Sequence, residues 1–323
     1  MKFDNKLIKL YSTIGHRATF GMVVVELVKK YSDLMVLTAD VSTSAGLDRF
    51  KKNYENNYID VGIAEQNLIN VATGIANEGF KVITTTFSPF QTLRCCEQIK
   101  VNLGYGNEKV CMVGLASGLA LGHLGFTHCS IEDIGVLRSI PNIAIVSPSD
   151  CFELAKCVEA AINYKDSVYI RLTGNTNVPI INDKEYNFEI GKSITLREGS
   201  EILIIGNGST VKTALELNEL LKIEKISSEV INMHTIKPLD LSTLKKSIFK
   251  KKLVITIEEH NIIGGLGSAI AEYLSSTRNS PRQLFFGIND KYIKGGSYKY
   301  LINKYNLNID HIFKKVLNEF RNI

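Results

Sequence analysis

Short apolar runs ending in small or polar residues recur along the first half of the chain. They are Leu34-Met35-Val36-Leu37-Thr38, Lys81-Val82-Ile83-Thr84-Thr85, Val110-Cys111-Met112-Val113-Gly114, Ile143-Ala144-Ile145-Val146 and Val168-Tyr169-Ile170-Arg171. Runs of this length predict strands. Between them, residues 65–78 and 150–162 carry helical spacing, and Asp150, after Ser147-Pro148-Ser149, predicts the cap of the second helix. Strands joined by helical crossovers predict a parallel sheet covered on both faces. Around residues 178–200 the pattern gives way to a polar, turn-rich stretch with Asn175, Asn177, Pro179, Asn182, Asp183 and Asn187, which predicts a linker. A second unit follows, with strands at Ile202-Leu203-Ile204-Ile205, Glu229-Val230-Ile231-Asn232 and 253–257, and a helix over 209–221. The turn Gly264-Gly265-Leu266-Gly267 opens another helix. The expected class is α/β: two tandem domains with mainly parallel sheets, 1–180 and 199–323, joined by a linker over 181–198.

Length and composition agree with that plan. A chain of 323 residues is long enough for two cores. Its 45% hydrophobic and 22% charged residues are those of an ordinary globular protein. The net charge is +5, but the lysines are scattered. Their densest run, Lys250-Lys251-Lys252, precedes the apolar Leu253-Val254-Ile255 and predicts a solvated helix-to-strand connection. Aromatic residues do not interleave with the basic ones, so no nucleic-acid partner is expected. The cysteines Cys95, Cys96, Cys111, Cys129, Cys151 and Cys157 form no C-x-x-C pair, and several sit in apolar or helical runs. They predict reduced, buried thiols and a cytoplasmic location. The N-terminus, MKFDNKLIKLYS, has no apolar stretch of signal-peptide length, and no segment approaches the roughly 20 apolar residues of a membrane span.

Chemistry concentrates first at Asp60-Val61-Gly62-Ile63-Ala64-Glu65-Gln66-Asn67. The pattern ends a strand near Gly62 and starts a helix near Glu65, which puts Glu65 in a first turn at the carboxyl end of a parallel strand. Open α/β sheets bind ligands there. Taken alone, Glu65 is better explained by attraction to the helix dipole. Ile205-Gly206-Asn207-Gly208-Ser209-Thr210-Val211 also follows a strand, but Val211 replaces the third glycine of a dinucleotide fingerprint, and a tight turn into a helix accounts for Gly206 and Gly208. A nicotinamide-dependent dehydrogenase is therefore a remote alternative.

Seven strings stand in the order and spacing of one family. GIAEQN, TFSPF followed by Arg94, GFTHCSIEDI, LRSIPNIAIVSPSD, YIRLTGN, IKPLD and GGLGSAIAE resemble the transketolase family over nearly the whole chain. The resemblance implies a thiamine diphosphate-dependent transferase, with a pyrimidine-binding domain over 1–180 and a transketolase C-terminal domain over 199–323. It makes Glu65 the glutamate that hydrogen-bonds a ring nitrogen of the aminopyrimidine, favouring the tautomer that activates the cofactor. Phe87 and Phe90 become an aromatic platform for that ring, although core packing explains either alone. Asp40 and Val41 resemble the pair near the thiazolium, and Asp40 also suits a strand-end turn. His128, in Gly125-Phe126-Thr127-His128, is implied to move protons on the substrate, which suits a group titrating near neutrality. Arg17, Ser44 and Arg171 match residues that grip a sugar phosphate. Glu132 and Asp133 are expected to open a helix, capping it and interacting with its dipole rather than taking part in catalysis.

Departures from the family pattern are as informative. Leu93 stands where many members carry tyrosine, Ala116 where a histidine helps hold phosphate, and Leu124 where an aspartate reads a donor hydroxyl. His123 beside it is a candidate for some polar contact. These changes predict an unusual donor. The family's G-D-G, with an Asn-Asn pair downstream, holds diphosphate and magnesium; this chain has no G-D-G, and Asn56-Asn57 reads as a turn. No metal ligand is expected in the chain. Its partner is then an N-terminal transketolase subunit carrying the diphosphate and Mg2+ site, in an α2β2 heterotetramer acting on sugars or sugar phosphates in carbohydrate metabolism. The same fold leaves a 2-oxoacid dehydrogenase β subunit, an enzyme resembling deoxyxylulose-phosphate synthase, and a catalytically silent regulatory subunit as alternatives.

Overall fold

Asp4 caps helix α1 (Asn5–Lys30), its side chain accepting the Leu7 N–H at 2.7 Å. The structure, a computed structural model, describes residues 4–173, 176–182 and 184–323. Gly174 of YIRLTGN, Asn175 and Asp183 of the predicted linker, and the first three residues lie outside the described residues.

Five strands of the first half fall where the apolar runs predict them. β1 (Leu34–Thr38) leads through α2 (Asp48–Asn53) to β2 (Tyr58–Asp60) and α3 (Glu65–Asn77). β3 (Lys81–Phe87) passes into α4 (Ser88–Thr92), α5 (Cys96–Gln98) and a wide turn over Ile99–Tyr105. β4 (Val110–Ser117), α6 (Asp133–Arg138), β5 (Ile143–Val146), α7 (Cys151–Ala161) and β6 (Ser167–Thr173) follow. Asp150 caps α7 as predicted, accepting the Glu153 N–H at 2.7 Å.

The second half comprises β7 (Ile194–Arg197), β8 (Ile202–Gly206), α8 (Thr210–Ile223), β9 (Ser228–Asn232) and β10 (Thr235–Lys237). It continues with α9 (Leu241–Ser247), β11 (Leu253–Asn261), α10 (Leu266–Ser275), β12 (Arg282–Ile288), α11 (Tyr298–Lys304) and α12 (Ile309–Arg321). The predicted linker 181–198 is corrected at its end, because β7 falls inside it and pairs antiparallel with β9.

Two sheets result. The first has the order β10-β5-β6-β4-β3-β1-β2 and the second β12-β11-β8-β9-β7. All pairings are parallel except those of β10 with β5 and β7 with β9. β10 comes from the second half of the chain, so the first sheet is completed by a strand of the other domain. The cores follow the same plan. Phe20, Leu27, Val113, Leu154 and Ile170 fill the face of the first sheet under α1 and α7. Leu68, Ile69 and Leu137 cover the other face, and that cluster runs on through Ile231, Met233 and Leu266 into the second domain. A third cluster, with Ala214, Leu217, Ile312 and Val316, lies under α8 and α12.

β1 lies between β2 and β3 although the chain runs β1, β2, β3. The direction of winding therefore reverses between β1 and β3, and the crevice at their carboxyl ends is the place such sheets offer a ligand. Among the described residues, no helix is long and apolar enough to cross a membrane.

Candidate functional site

Four loops converge at the carboxyl edge beside that reversal. Asp40 and Val41 follow β1, and Asp40 takes the left-handed conformation at φ +54°. Asp60 at the end of β2 fastens this corner, its Oδ1 accepting the N–H groups of Asp40 at 2.9 Å and Gly62 at 3.0 Å. Gly62 turns the chain at φ +72°, a conformation that costs glycine little, and Glu65 opens α3. The Glu65 side chain is only 5% exposed, and its Oε1 accepts Arg94 Nη1 at 2.7 Å.

β3 delivers the aromatic wall. Phe87 ends the strand and Phe90 lies within α4, with Pro89 at the helix start, where its missing N–H is no loss. The rings of Phe87 and Phe90 meet edge-to-face at 6.3 Å. The loop after β4 brings His128 against both, at 5.2 Å from Phe90 and 6.2 Å from Phe87. These are favourable aromatic geometries. Thr127 Oγ1 engages His128 Nδ1 at 3.0 Å, leaving Nε2 for other work. Across the same cup, the Arg94 guanidinium carbon stands 4.1 Å from the Phe90 ring centre. Glu65, Phe87, Phe90 and His128 are thus brought together as one group, with Arg94 among them.

Arg17 and Ser44 share a separate recess of about 200 Å³ with His16, Thr43 and Thr176. Gly15 breaks α1 beneath it, at φ 80° and ψ 177°, just before Arg17. Gly21 and Gly46 let α1 approach the Ser44 loop: a Cβ on Gly21 would lie 1.9 Å from the Gly46 carbonyl oxygen. The side chain of Arg17 is exposed at this recess, and so free to meet an anion from solvent.

Arg171 is not part of that recess, and the expectation that it grips substrate is corrected. It is 0% exposed. Its Nε donates to Asp133 Oδ2 at 2.8 Å, and its Nη2 to the carbonyls of Ser130 at 3.1 Å and Glu259 at 2.7 Å. A guanidinium whose donors are spent inside the protein has little to offer a phosphate. Asp133 is corrected with it. It stands in the first turn of α6, as the dipole reading expects, but its carboxylate is turned to other partners than a cap: it is buried and also accepts Tyr169 Oη at 2.8 Å and Ser88 Oγ at 3.2 Å. Burial pushes the Asp133 carboxyl up, but Arg171, aided by His260, outweighs it and holds the group below its ordinary range. Because Glu259 and His260 belong to β11, this network ties the two domains together beneath Phe87.

Leu93 and Leu124 are exposed, Leu124 at 49%, and His123 is exposed beside it, whereas Ala116 is buried against Phe87. All six cysteines are free, and burial pushes the thiols of Cys95, Cys129 and Cys151 up to about 12, which leaves them inert. Among the described residues, no group of three or more His, Cys, Asp or Glu is arranged to hold a metal ion. Sequence reasoning missed the roles of Asp60 and Arg94. Each stood next to a motif it did use, Asp60 two residues before the glycine of GIAEQN and Arg94 after TFSPF.

Comparison with known proteins gives the family. Residues 12–177 match the transketolase pyrimidine binding domain and residues 191–312 the transketolase C-terminal domain. The chain is 33% identical to one subunit of the apulose-4-phosphate transketolase of Phocaeicola vulgatus, covering 94% of this chain and 97% of that one. It is 34% identical to the 6-deoxy-6-sulfo-D-fructose transketolase subunit SqwH of a Clostridium species, covering 92% of each. A solved structure of a split gene transketolase, an inactive beta4 tetramer, superimposes with a TM-score of 0.86, at 32% identity over 95% of this chain and 98% of that one. With both of its domains matched in order, and the glutamate, phenylalanine pair and histidine gathered at one sheet edge, the chain belongs to the transketolase family.

Proposed function

We propose that the chain is the C-terminal subunit of a split transketolase, transferring a two-carbon ketol unit from a ketose to an aldose with thiamine diphosphate. The observation that carries this reading is the nearly buried Glu65 carboxylate beside the Phe87, Phe90 and His128 cluster. An aminopyrimidine needs a carboxylate beside an aromatic face. The fit is supported by Arg94, a flat nitrogen donor that already spans Glu65 and Phe90. When bound, thiamine diphosphate supplies the electron sink for the transferred unit.

The chain's own residues then divide the work. Glu65 holds a proton at its carboxylate against the pyrimidine ring nitrogen, and its burial keeps that hydrogen bond strong. Phe87 and Phe90 position the ring and exclude water from it. Asp40 and Val41, which follow β1 at the crevice between β1 and β3, would lie towards the thiazolium. His128 moves a proton on the substrate hydroxyl through Nε2, its Nδ1 being held by Thr127. Arg17 and Ser44 bind an anionic group of the sugar in their shared recess. Diphosphate and Mg2+ belong to an N-terminal partner subunit, the complete enzyme being an α2β2 heterotetramer of cytoplasmic carbohydrate metabolism. The exposed Leu124 and buried Ala116 set the donor preference, in keeping with relatives named for apulose 4-phosphate and for a sulfonated fructose.

Glu65→Gln keeps shape and removes the acid. With the partner subunit present, it should lower kcat by about 100-fold or more, and cofactor affinity by much less. Wild-type turnover in that variant sinks the assignment. Carbon dioxide release from a 2-oxoacid by the wild-type pair would move the enzyme to the oxoacid dehydrogenase or deoxyxylulose-phosphate synthase reading.

A further inference from the structure

Arg94 makes both contacts the cup has to offer. Its Nη1 meets Glu65 Oε1 at 2.7 Å, and its guanidinium lies over Phe90, with Cζ 4.1 Å from the ring centre. A flat, nitrogen-bearing group that bonds Glu65 and stacks on Phe90 has the chemistry of the aminopyrimidine itself. We infer that Arg94 holds the place of the aminopyrimidine in the cofactor-free subunit and yields it when the cofactor enters, so that it sets cofactor affinity as a positioning residue. The inference rests on the function proposed above.

The physical case has three parts. Glu65 is 5% exposed, and a carboxylate left alone in such a place is costly. Arg94 neutralises it until a ligand arrives. The Arg94 side chain is itself 44% exposed, and ion pairs with one partner that open to water hold by roughly 0–1 kcal/mol. The guanidinium can therefore be displaced and move into solvent. The backbone need not follow. Gln66 Nε2 donates to the Arg94 carbonyl at 3.3 Å, and the Arg94 N–H donates to the Pro89 carbonyl at 3.4 Å. Only the side chain has to swing, and Glu65 keeps the favourable end of the α3 dipole throughout.

A protein group that competes with the cofactor weakens the cofactor's apparent affinity by the fraction of time it occupies the place. Arg94→Met keeps the apolar stem and removes the donors and the plane. In the assembled two-subunit enzyme, calorimetric titration with thiamine diphosphate and Mg2+ should show Kd falling about two- to sixfold in Arg94→Met. Arg94→Lys, which keeps a charge without the planar stack, should fall between the two, and it serves alone if the Met variant does not fold. Weaker cofactor binding in either variant would mean that Arg94 stays on Glu65 beside the bound ring, and unchanged Kd in both would mean that it never occupies the ring's place; either result overturns the inference. The Glu65→Gln measurement separates the two failures. An inactive Glu65→Gln with no gain in affinity from Arg94→Met discards the placeholder alone, and an active Glu65→Gln discards the functional reading beneath it.

Discussion

Arg171 and Arg94 carry the same guanidinium into opposite surroundings. One is sealed at the domain seam against Asp133, the other leans half into water over Phe90. Replacing Arg171 by Met leaves Asp133 charged, buried and without its main partner, a change that costs about 3–5 kcal/mol in comparable pairs. We expect the urea midpoint of Arg171→Met to fall accordingly, while the KM for donor sugar in whatever fraction folds stays close to wild type. Unchanged stability with a raised KM would restore the substrate-binding role. The sequence could not separate these roles. Every residue of β6 is buried, so the alternation that normally tells the two sides of a strand apart is absent. Glu65, Phe87, Phe90 and His128 stood out through the resemblance carried by GIAEQN, TFSPF and GFTHCSIEDI, since taken alone each had a plainer structural reading. Arg94 was visible as a letter, but no spacing rule says that its side chain folds back across the Phe90 ring to reach Glu65.

At the level of elements, α1 matters most and was least legible. Its run Val23-Val24-Val25 is β-branched and suits a strand by propensity, yet all three are buried along a helix packed on the first sheet. Tertiary packing decides the matter. The buried strands were legible as uninterrupted apolar runs, whereas β7 and β10 are short and antiparallel, and their residues are partly polar. α1 also holds half of the recess shared by Arg17 and Ser44, which depends on its close pass over the Ser44 loop. A Cβ on Gly21 would sit 1.9 Å from the Gly46 carbonyl oxygen, and backbone has no rotamer with which to retreat. Gly21→Ala should therefore destabilise the chain by roughly 1–3 kcal/mol. It should also raise the KM for a phosphorylated donor more than it lowers kcat, because Arg17 and Ser44 are pushed apart while Glu65 stays in place. Steady-state kinetics with the partner subunit and a thermal melt together test both halves, and unchanged values would mean the two backbones are not held this close.

On the scale of the whole molecule, the domain seam carries its own pH dependence. His260 is fully buried, its Nε2 accepting the Gly135 N–H at 3.3 Å and its Nδ1 2.7 Å from the Asn261 carbonyl. Burial lowers its pKa to about 4, against the pull of Asp133 and with Arg171 adding to the fall. The unfolded chain takes up this proton near pH 6.5 and the folded one only near 4, so the contribution is whole above 6.5 and is lost as pH drops between those values. Glu258 opposes it, since burial raises its carboxyl to about 7. Comparing His260→Gln with wild type isolates the histidine: the loss of stability between about pH 7 and pH 5 should be smaller in the variant, by on the order of 1–2 kcal/mol. Equal losses would mean that His260 is already charged in the fold.

β10 gives the seam a further meaning. Because a strand from the later half closes the flank of the earlier sheet along β5, severing the chain anywhere between its halves would strip that flank and bare a row of unpaired backbone groups, an invitation to pair with stray strands. Recombination that shuffles these halves separately would inherit a frayed sheet, whereas moving them together passes on an intact one.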